Sequence, residues 1–312
     1  MIVQIGLLII GFILLIKGAD IFVEGASKVA IKFNIPQIVV GLTIVAFGTS
    51  APEAAISIGS AMKGNVGLAV GNVIGSNIMN VLLILGITGC IAVTTLKKNT
   101  YRYEMPFVAL ITAVFMILGY FGGSINFVDG IILWAIFICF LYYLFRLVKS
   151  GQEQPEEIEE VDANDTYFKL IAMIVLGMAA IVYGSDLTVD AASTIASDLG
   201  ISERIIGLTI VAFGTSLPEL ITSVTAALKG KNDISVGNII GSNIFNILFV
   251  LGTTALVSPV AVIFDPAFLF DGFVAIGALV LFFVYINKKM ELRKSGAILM
   301  LVAYAAYFIN LL

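Results

Sequence analysis

The chain has 312 residues, of which 60% are hydrophobic and 12% charged, with a formal net charge of −4 and a mean hydropathy of +1.08. So few charges cannot cover a water-soluble globule of this size, which excludes that class and places the chain in a bilayer. The absence of histidine excludes a histidine proton relay, a histidine zinc site and a Ser-His-Asp hydrolase, so carboxylates, amides and hydroxyls must carry any chemistry.

Stretches near the ~20 apolar residues needed to cross a hydrocarbon core recur along the chain. Ten are expected, at roughly 2–24, 37–61, 67–92, 104–122, 127–148, 167–190, 205–227, 234–258, 267–287 and 295–311. The first has no basic residues ahead of it and no small-residue cleavage pattern behind it, so it reads as a span and not as a signal peptide. Near its end lies Asp20, in GAD, with a mate at Asp186, in GSD near the end of the sixth. Either residue could assist ion entry, cap a helix or pair with a base such as Lys17, and a structural role is favoured.

The second stretch contains GLTIVAFGTS at Gly41 to Ser50, and the seventh contains the same ten residues at Gly207 to Ser216, 166 positions on. Pro52 and Glu53 follow the first copy, Pro218 and Glu219 the second. Proline donates no hydrogen bond and clashes with the carbonyl four residues earlier, here Gly48 or Gly214, so both helices should break near mid-membrane and free backbone carbonyls. Non-helical backbone at that depth points to a binding site, because it is tolerated only inside protein or beside a water-filled cavity. A simple packing kink is the plain alternative. Against it stands a glutamate beside each break, whose charge costs on the order of 2.5 kcal/mol or more in the bilayer. No basic residue lies at matching depth in spans two, three, seven or eight. A bound cation, or protonation of the empty site, would offset the cost.

The third and eighth stretches carry GNVIGSNIMN (Gly71 to Asn80) and GNIIGSNIFN (Gly237 to Asn246). Asn72, Ser76 and Asn80 recur every four residues, as do Asn238, Ser242 and Asn246, so each set lines one helix face. The Gly71/Gly75 and Gly237/Gly241 pairs have GxxxG spacing, which lets helices approach closely in lipid. Ser76 and Asn80 are expected to face the glutamate, whereas Asn72 and Asn238 could simply join helices. Every oxygen in this set is hard, which suits Na⁺, Ca²⁺ or Mg²⁺, with Ca²⁺ preferred over Mg²⁺ because Mg²⁺ sheds water reluctantly. Cys90 and Cys139 fall within spans and read as packing residues.

These spacings divide the chain into a first five-helix half (1–148), an acidic linker (149–166) and a second five-helix half (167–312). The linker lacks the ligand pattern of an EF-hand and reads as a solvated connection. Placing the amino terminus outside puts fourteen Lys and Arg residues on the cytoplasmic side and two, Lys63 and Arg204, outside. Five spans per half then make the second copy enter from the opposite face. The expected fold is an all-α polytopic membrane protein whose ten transmembrane helices form two inverted five-helix repeats, an architecture suited to alternating access.

GTSAPE with GTSLPE, and GNVIGSN with GNIIGSN, resemble the paired α-repeats of the Ca²⁺/cation antiporter superfamily, in particular its prokaryotic sodium/calcium exchangers. The resemblance covers nearly the whole chain. It implies Ca²⁺ efflux against Na⁺ influx across the plasma membrane, electrogenic when three Na⁺ exchange for one Ca²⁺, and the charge bias above puts both termini on the extracellular side. It also implies an ion site made by Glu53, Thr49, Ser50, Ser76 and Asn80 from the first copy and Glu219, Thr215, Ser216, Ser242 and Asn246 from the second. Backbone carbonyls of Ala46 and Ala212 complete that set by the same resemblance. Na⁺ and Ca²⁺ are then substrates, with no resident cofactor, no enzymatic activity and no obligate protein partner expected. Some members have aspartate where this chain has Asn80 or Asn246, so the expected site carries a formal charge of minus two and potassium cotransport is disfavoured. A Ca²⁺/H⁺ antiporter is the nearest alternative, since protons could serve the same two carboxylates. A channel is a more distant one.

Overall fold

The computed structural model describes residues 2–64, 66–150, 165–200 and 212–311. Helices account for nearly all of it: α1 (Ile2–Lys32), α2 (Gln37–Thr49), α3 (Ala51–Met62), α4 (Val66–Ile91), α5 (Thr100–Gly122), α6 (Phe127–Ser150), α7 (Tyr167–Asp198), α8 (Ala212–Thr215), α9 (Leu217–Leu228), α10 (Asn232–Val257), α11 (Ala267–Val284) and α12 (Lys294–Leu311). Among the described residues, eight of these are each long and apolar enough to cross a membrane, and α2 with α3 forms one further span bent by 51°. Of the expected span at 205–227, residues 205–211 lie outside the described residues, and the remainder forms α8 and the short apolar helix α9.

Two helices run further than the apolar pattern predicts. α1 continues past 24 to Lys32, and α7 past 190 to Asp198. The extra turns of α1 are charged, but their charges are matched: Glu24 pairs with Lys28 at 2.9 Å one turn on, so polarity does not end the helix.

α4 and α10 form the centre. In its most apolar stretch α10 is 94% buried and α4 72%, against 22% for α1. These two central helices keep their polar stripes inside the bundle, where neighbouring helices can bond them, whereas the outer helices turn exposed Ile, Leu and Phe toward the surroundings. Gly237 and Gly241 make the close approach that the GxxxG spacing predicts. A Cβ at Gly237 would lie 2.9 Å from the Ile38 carbonyl, and one at Gly241 would lie 2.7 Å from Leu42 Cα. Gly71 and Gly75 meet no such backbone among the described residues.

α1 and α7 pack backbone to backbone. Gly11, Gly18 and Gly25 recur every seven residues on α1 and meet Gly184, Gly177 and Met173 of α7 in that order. The order descends on α7, so the two helices are antiparallel. A Cβ at Gly18 would lie 2.9 Å from the Gly177 carbonyl, and one at Gly184 would lie 2.9 Å from the Gly11 carbonyl. Gly11 and Gly177 are themselves mates in the sequence repeat, as are Gly18 and Gly184.

The basic residues gather at one end. Asp165 accepts from Lys169 at 2.6 Å and pairs with Lys28 at 3.1 Å, while Lys32 donates to its carbonyl. The hydrogen bond from Lys169, and then that from Lys28, holds the Asp165 carboxyl below the usual carboxylate range. Its contribution to stability is therefore present above the ordinary carboxylate pKa and lost as pH falls through the lowered value. Lys231 donates to Ser27 Oγ at 2.8 Å, and Lys97 pairs with Asp233 at 3.4 Å. Lys229 binds Asp20 at 2.6 Å, with the two side chains 27% and 47% exposed. The base for Asp20 is thus Lys229, which follows α9, and not Lys17. The repeat mates of this pair, Lys63 and Asp186, are both exposed and form no ion pair among the described residues. At the opposite end, Ser124–Ile125 and Val262–Ile263 form a two-stranded antiparallel ribbon that joins the α5–α6 and α10–α11 connections.

Leucine at Gly18 would drive α1 and α7 apart. Gly18→Leu should cost at least the ~1–3 kcal/mol typical of overpacking and lower the melting temperature in a thermal size-exclusion assay. Gly6→Leu, on the same helix but with nothing near its Cβ position, should leave it nearly unchanged.

Candidate ion-binding site

The site begins at the two helix breaks. α2 ends at Thr49 and α3 begins at Ala51, with Ser50 between them at φ −83°, ψ 9°; Ser216 occupies the same place between α8 and α9 at φ −94°, ψ 5°. Serine is the pivot in both copies. Gly48 and Gly214 stay helical because each is needed for packing. A Cβ at Gly48 would lie 2.9 Å from Met178 Sδ, and one at Gly214 would lie 2.0 Å from Val189 Cγ2.

Each proline falls within the first two positions of the following helix, where its missing N–H breaks no intrahelical bond. Glu53 and Glu219 therefore sit in the first turns of α3 and α9. The positive end of the helix dipole offsets part of the cost of a buried carboxylate there.

Not every freed carbonyl points at an ion. Ser185 of α7 donates to the Gly214 carbonyl at 2.8 Å, and its repeat mate, Ala19, has no hydroxyl with which to do the same. The Ala46 carbonyl accepts from Ser50 N–H at 3.0 Å and from Thr49 Oγ1 at 3.4 Å. Ser216 N–H instead bonds the Phe213 carbonyl at 3.2 Å, and Ala212 opens the described part of α8.

The two breaks meet and exchange hydrogen bonds. Ser50 Oγ donates to Glu219 Oε1 at 2.7 Å, and Ser216 Oγ donates to Glu53 Oε1 at 3.2 Å. Each serine thus serves the carboxylate of the other copy. Ser216 Oγ also lies 3.5 Å from Ser76 Oγ on α4. Glu53, Glu219, Thr49, Ser50, Ser76, Asn80, Thr215, Ser216, Ser242 and Asn246 are all buried. Asn80 and Asn246 each open a wider π-helical turn, at Asn80–Ile84 and Asn246–Leu251, a local geometry frequent at functional sites.

Five oxygens of this cluster are buried without a hydrogen-bond donor: Glu53 Oε2, Glu219 Oε2, Asn80 Oδ1, Asn246 Oδ1 and Ser242 Oγ. Buried acceptors left this way are costly and need a compensating partner. Among the described residues neither glutamate pairs with a base, and no group of three or more His, Cys, Asp or Glu side chains gathers. What the arrangement offers is a buried cluster of carboxylate, amide and hydroxyl oxygens with two formal negative charges. Such oxygens suit a hard cation.

Two residues of this geometry, Asn77 and Asn243, escape a sequence reading that follows single polar stripes, and Asn238, which lies on its stripe, does more than join helices. Asn238, first read as a possible helix joiner, accepts from Thr49 Oγ1 at 2.9 Å and donates to Ser223 Oγ at 2.9 Å. It therefore braces a predicted site residue. Its mate Asn72 donates to Ser57 Oγ at 3.0 Å. Asn77 and Asn243 lie one residue beyond Ser76 and Ser242, off the stripe, and cross between α4 and α10. The signal for them was the exact recurrence of GSN in both copies.

The sodium/calcium exchanger protein family matches residues 3–146 and 169–312. The chain belongs to that family. It is thus a multi-pass membrane transporter and not an enzyme. Among its relatives is the sodium/calcium exchanger MaX1 of Methanosarcina acetivorans, 32% identical over 351 aligned positions that cover 98% of this chain and 97% of MaX1. Another is the inner membrane protein YrbG of Escherichia coli, 38% identical over 268 positions, with 83% and 81% covered. A solved structure of the sodium-calcium exchanger NCX_Mj, soaked with 2.5 mM Na⁺ and 0.1 mM Ca²⁺, superposes with a TM-score of 0.85 at 30% identity over 100% of this chain and 99% of that one.

Within this exchanger fold, Glu53→Gln or Glu219→Gln should abolish ion exchange while the protein still inserts and purifies as a folded species. Ser50→Ala removes one donor from a charged acceptor and should weaken Ca²⁺ binding roughly ten- to a hundredfold without abolishing it. ⁴⁵Ca²⁺ uptake by proteoliposomes checks the first expectation, and Ca²⁺ titration calorimetry on the purified variant checks the second.

Proposed function

We propose that the chain is a secondary antiporter that exchanges Na⁺ for Ca²⁺ by alternating access at the site between α2/α3, α4, α8/α9 and α10. The observation that carries this reading is the crossed pair Ser50–Glu219 and Ser216–Glu53, with an unpartnered oxygen left on each carboxylate. Two halves meeting at one pocket, each lending a donor to the other's charge, form a closed compartment and not a continuous pore. Ca²⁺ and Na⁺ compete for Glu53 and Glu219, helped by Thr49, Ser50, Ser76, Asn80, Thr215, Ser216, Ser242 and Asn246 and by the carbonyls of Ala46 and Ala212.

The architecture in this reading is ten spans in two inverted halves, 1–148 and 167–312, joined by a polar connection. The family match in two separate segments supports that division. The antiparallel packing of α1 on its repeat mate α7 supports the inversion. The protein resides in the plasma membrane with both termini outside, in keeping with the lysines gathered at the other end. It exports Ca²⁺, and exchange of more than two Na⁺ per Ca²⁺ moves net charge, worth about 2.3 kcal/mol per charge at 100 mV.

The test is ⁴⁵Ca²⁺ uptake into proteoliposomes loaded with Na⁺, compared with vesicles that carry only a pH gradient. Uptake driven by the Na⁺ gradient, and altered by a potassium diffusion potential, is the expected result. Uptake driven by the pH gradient alone would overturn it and make both glutamates proton carriers.

A further inference from the structure

Asn77 and Asn243 touch no predicted ligand carboxylate, yet they fix what two predicted ligands present to the ion. Asn77 Nδ2 donates to the Asn243 backbone carbonyl at 3.2 Å, and Asn243 Nδ2 donates to the Asn77 backbone carbonyl at 3.4 Å. A backbone carbonyl can only accept, so each of these contacts must be made by an amide nitrogen. The orientation of both side chains follows without any choice between oxygen and nitrogen. Their side-chain oxygens then face the other way, where Asn77 Oδ1 accepts from Asn246 Nδ2 at 3.2 Å and Asn243 Oδ1 accepts from Asn80 Nδ2 at 2.9 Å.

The orientation thus passes from backbone to first amide to second amide. It ends at Asn80 Oδ1 and Asn246 Oδ1, both of which are buried without a donor. All four asparagines are at most 5% exposed, so bulk solvent does not compete for these hydrogen bonds in this conformation. Were Asn80 or Asn246 to turn over, its NH₂ group would meet the cation and its oxygen would meet another oxygen. Neither contact is favourable.

We propose that Asn77 and Asn243 are positioning residues, which lock the Asn80 and Asn246 amides so that oxygen and not nitrogen faces the transported cation. The proposal rests on the antiport reading above. It also accounts for how a neutral amide serves at both positions in a site with only two carboxylates: an amide is a cation ligand only when its orientation is held, whereas a carboxylate presents oxygen whichever way it turns.

That difference supplies the experiment. Asn77→Leu is compared with its parent in two backgrounds, the native chain and the chain carrying Asn246→Asp, by Na⁺-driven ⁴⁵Ca²⁺ uptake with KM and maximal rate measured separately. In the native background, Asn77→Leu should raise the Ca²⁺ KM about tenfold or more with the maximal rate largely retained. In the Asn246→Asp background the same substitution should change KM less than about threefold, a coupling that distant, independent residues do not show. Equal losses in both backgrounds, or no loss in either, would overturn the proposal, since a merely structural asparagine costs the same in each. Should Asn77→Leu not purify as a folded species, Asn243→Ala read in the native and Asn80→Asp backgrounds decides the matter in the same way. Native protein that shows no Na⁺-driven uptake would count against antiport itself and not against the orientation of the amides.

Discussion

The fold is arranged around two carboxylates that, among the described residues, have no protein cation beside them. Glu53 and Glu219 are 1% and 0% exposed, and a low-dielectric surrounding penalises each charge by several kcal/mol. The fold reduces the penalty by small, separate means. Each carboxylate sits at a helix N-terminus, each accepts one hydroxyl from the other half, and each keeps one oxygen unpartnered. A lysine placed in the pocket would stabilise the protein more and leave nothing for a transported ion to do.

Proline is the device that makes the helix ends available at that depth. A continuous helix through residues 37–62 would bond every backbone group internally and bring no N-terminus to mid-membrane. The break at Ser50 creates one, and because serine is also a donor, the residue that turns the chain reaches across to Glu219. Packing around the break comes from glycine. Gly48 and Gly214 admit Met178 and Val189 against the bent helices, and Gly241 admits the backbone at Leu42. Those contacts let α2 lie along α10 while the carboxylates converge.

Much of this could be read before any coordinates. The duplication, the breaks after GTS, the carboxylates and the stripes through Ser76 and Ser242 are local patterns with local causes, and sequence displays such patterns directly. What escaped reading was relational. That Ser50 serves Glu219 and not Glu53 depends on which copy faces which. Ser185 caps the Gly214 carbonyl only because α7 crosses there, and Asp20 finds Lys229 through a contact about two hundred residues away in sequence. The apolar pattern stops short of the end of α1 for a related reason: the charges that follow it are neutralised by neighbours on the same helix and on the chain after α9.

The tether between Lys229 and Asp20 breaks the likeness of the two halves, since Lys63 and Asp186 stand apart. A solvated ion pair of this kind contributes about 1 kcal/mol or less, equivalent to no more than about a fivefold preference between two arrangements of the same chain. The pair can therefore bias the molecule toward the arrangement seen here without holding it there. In an alternating-access cycle, salt that screens the pair would remove that bias.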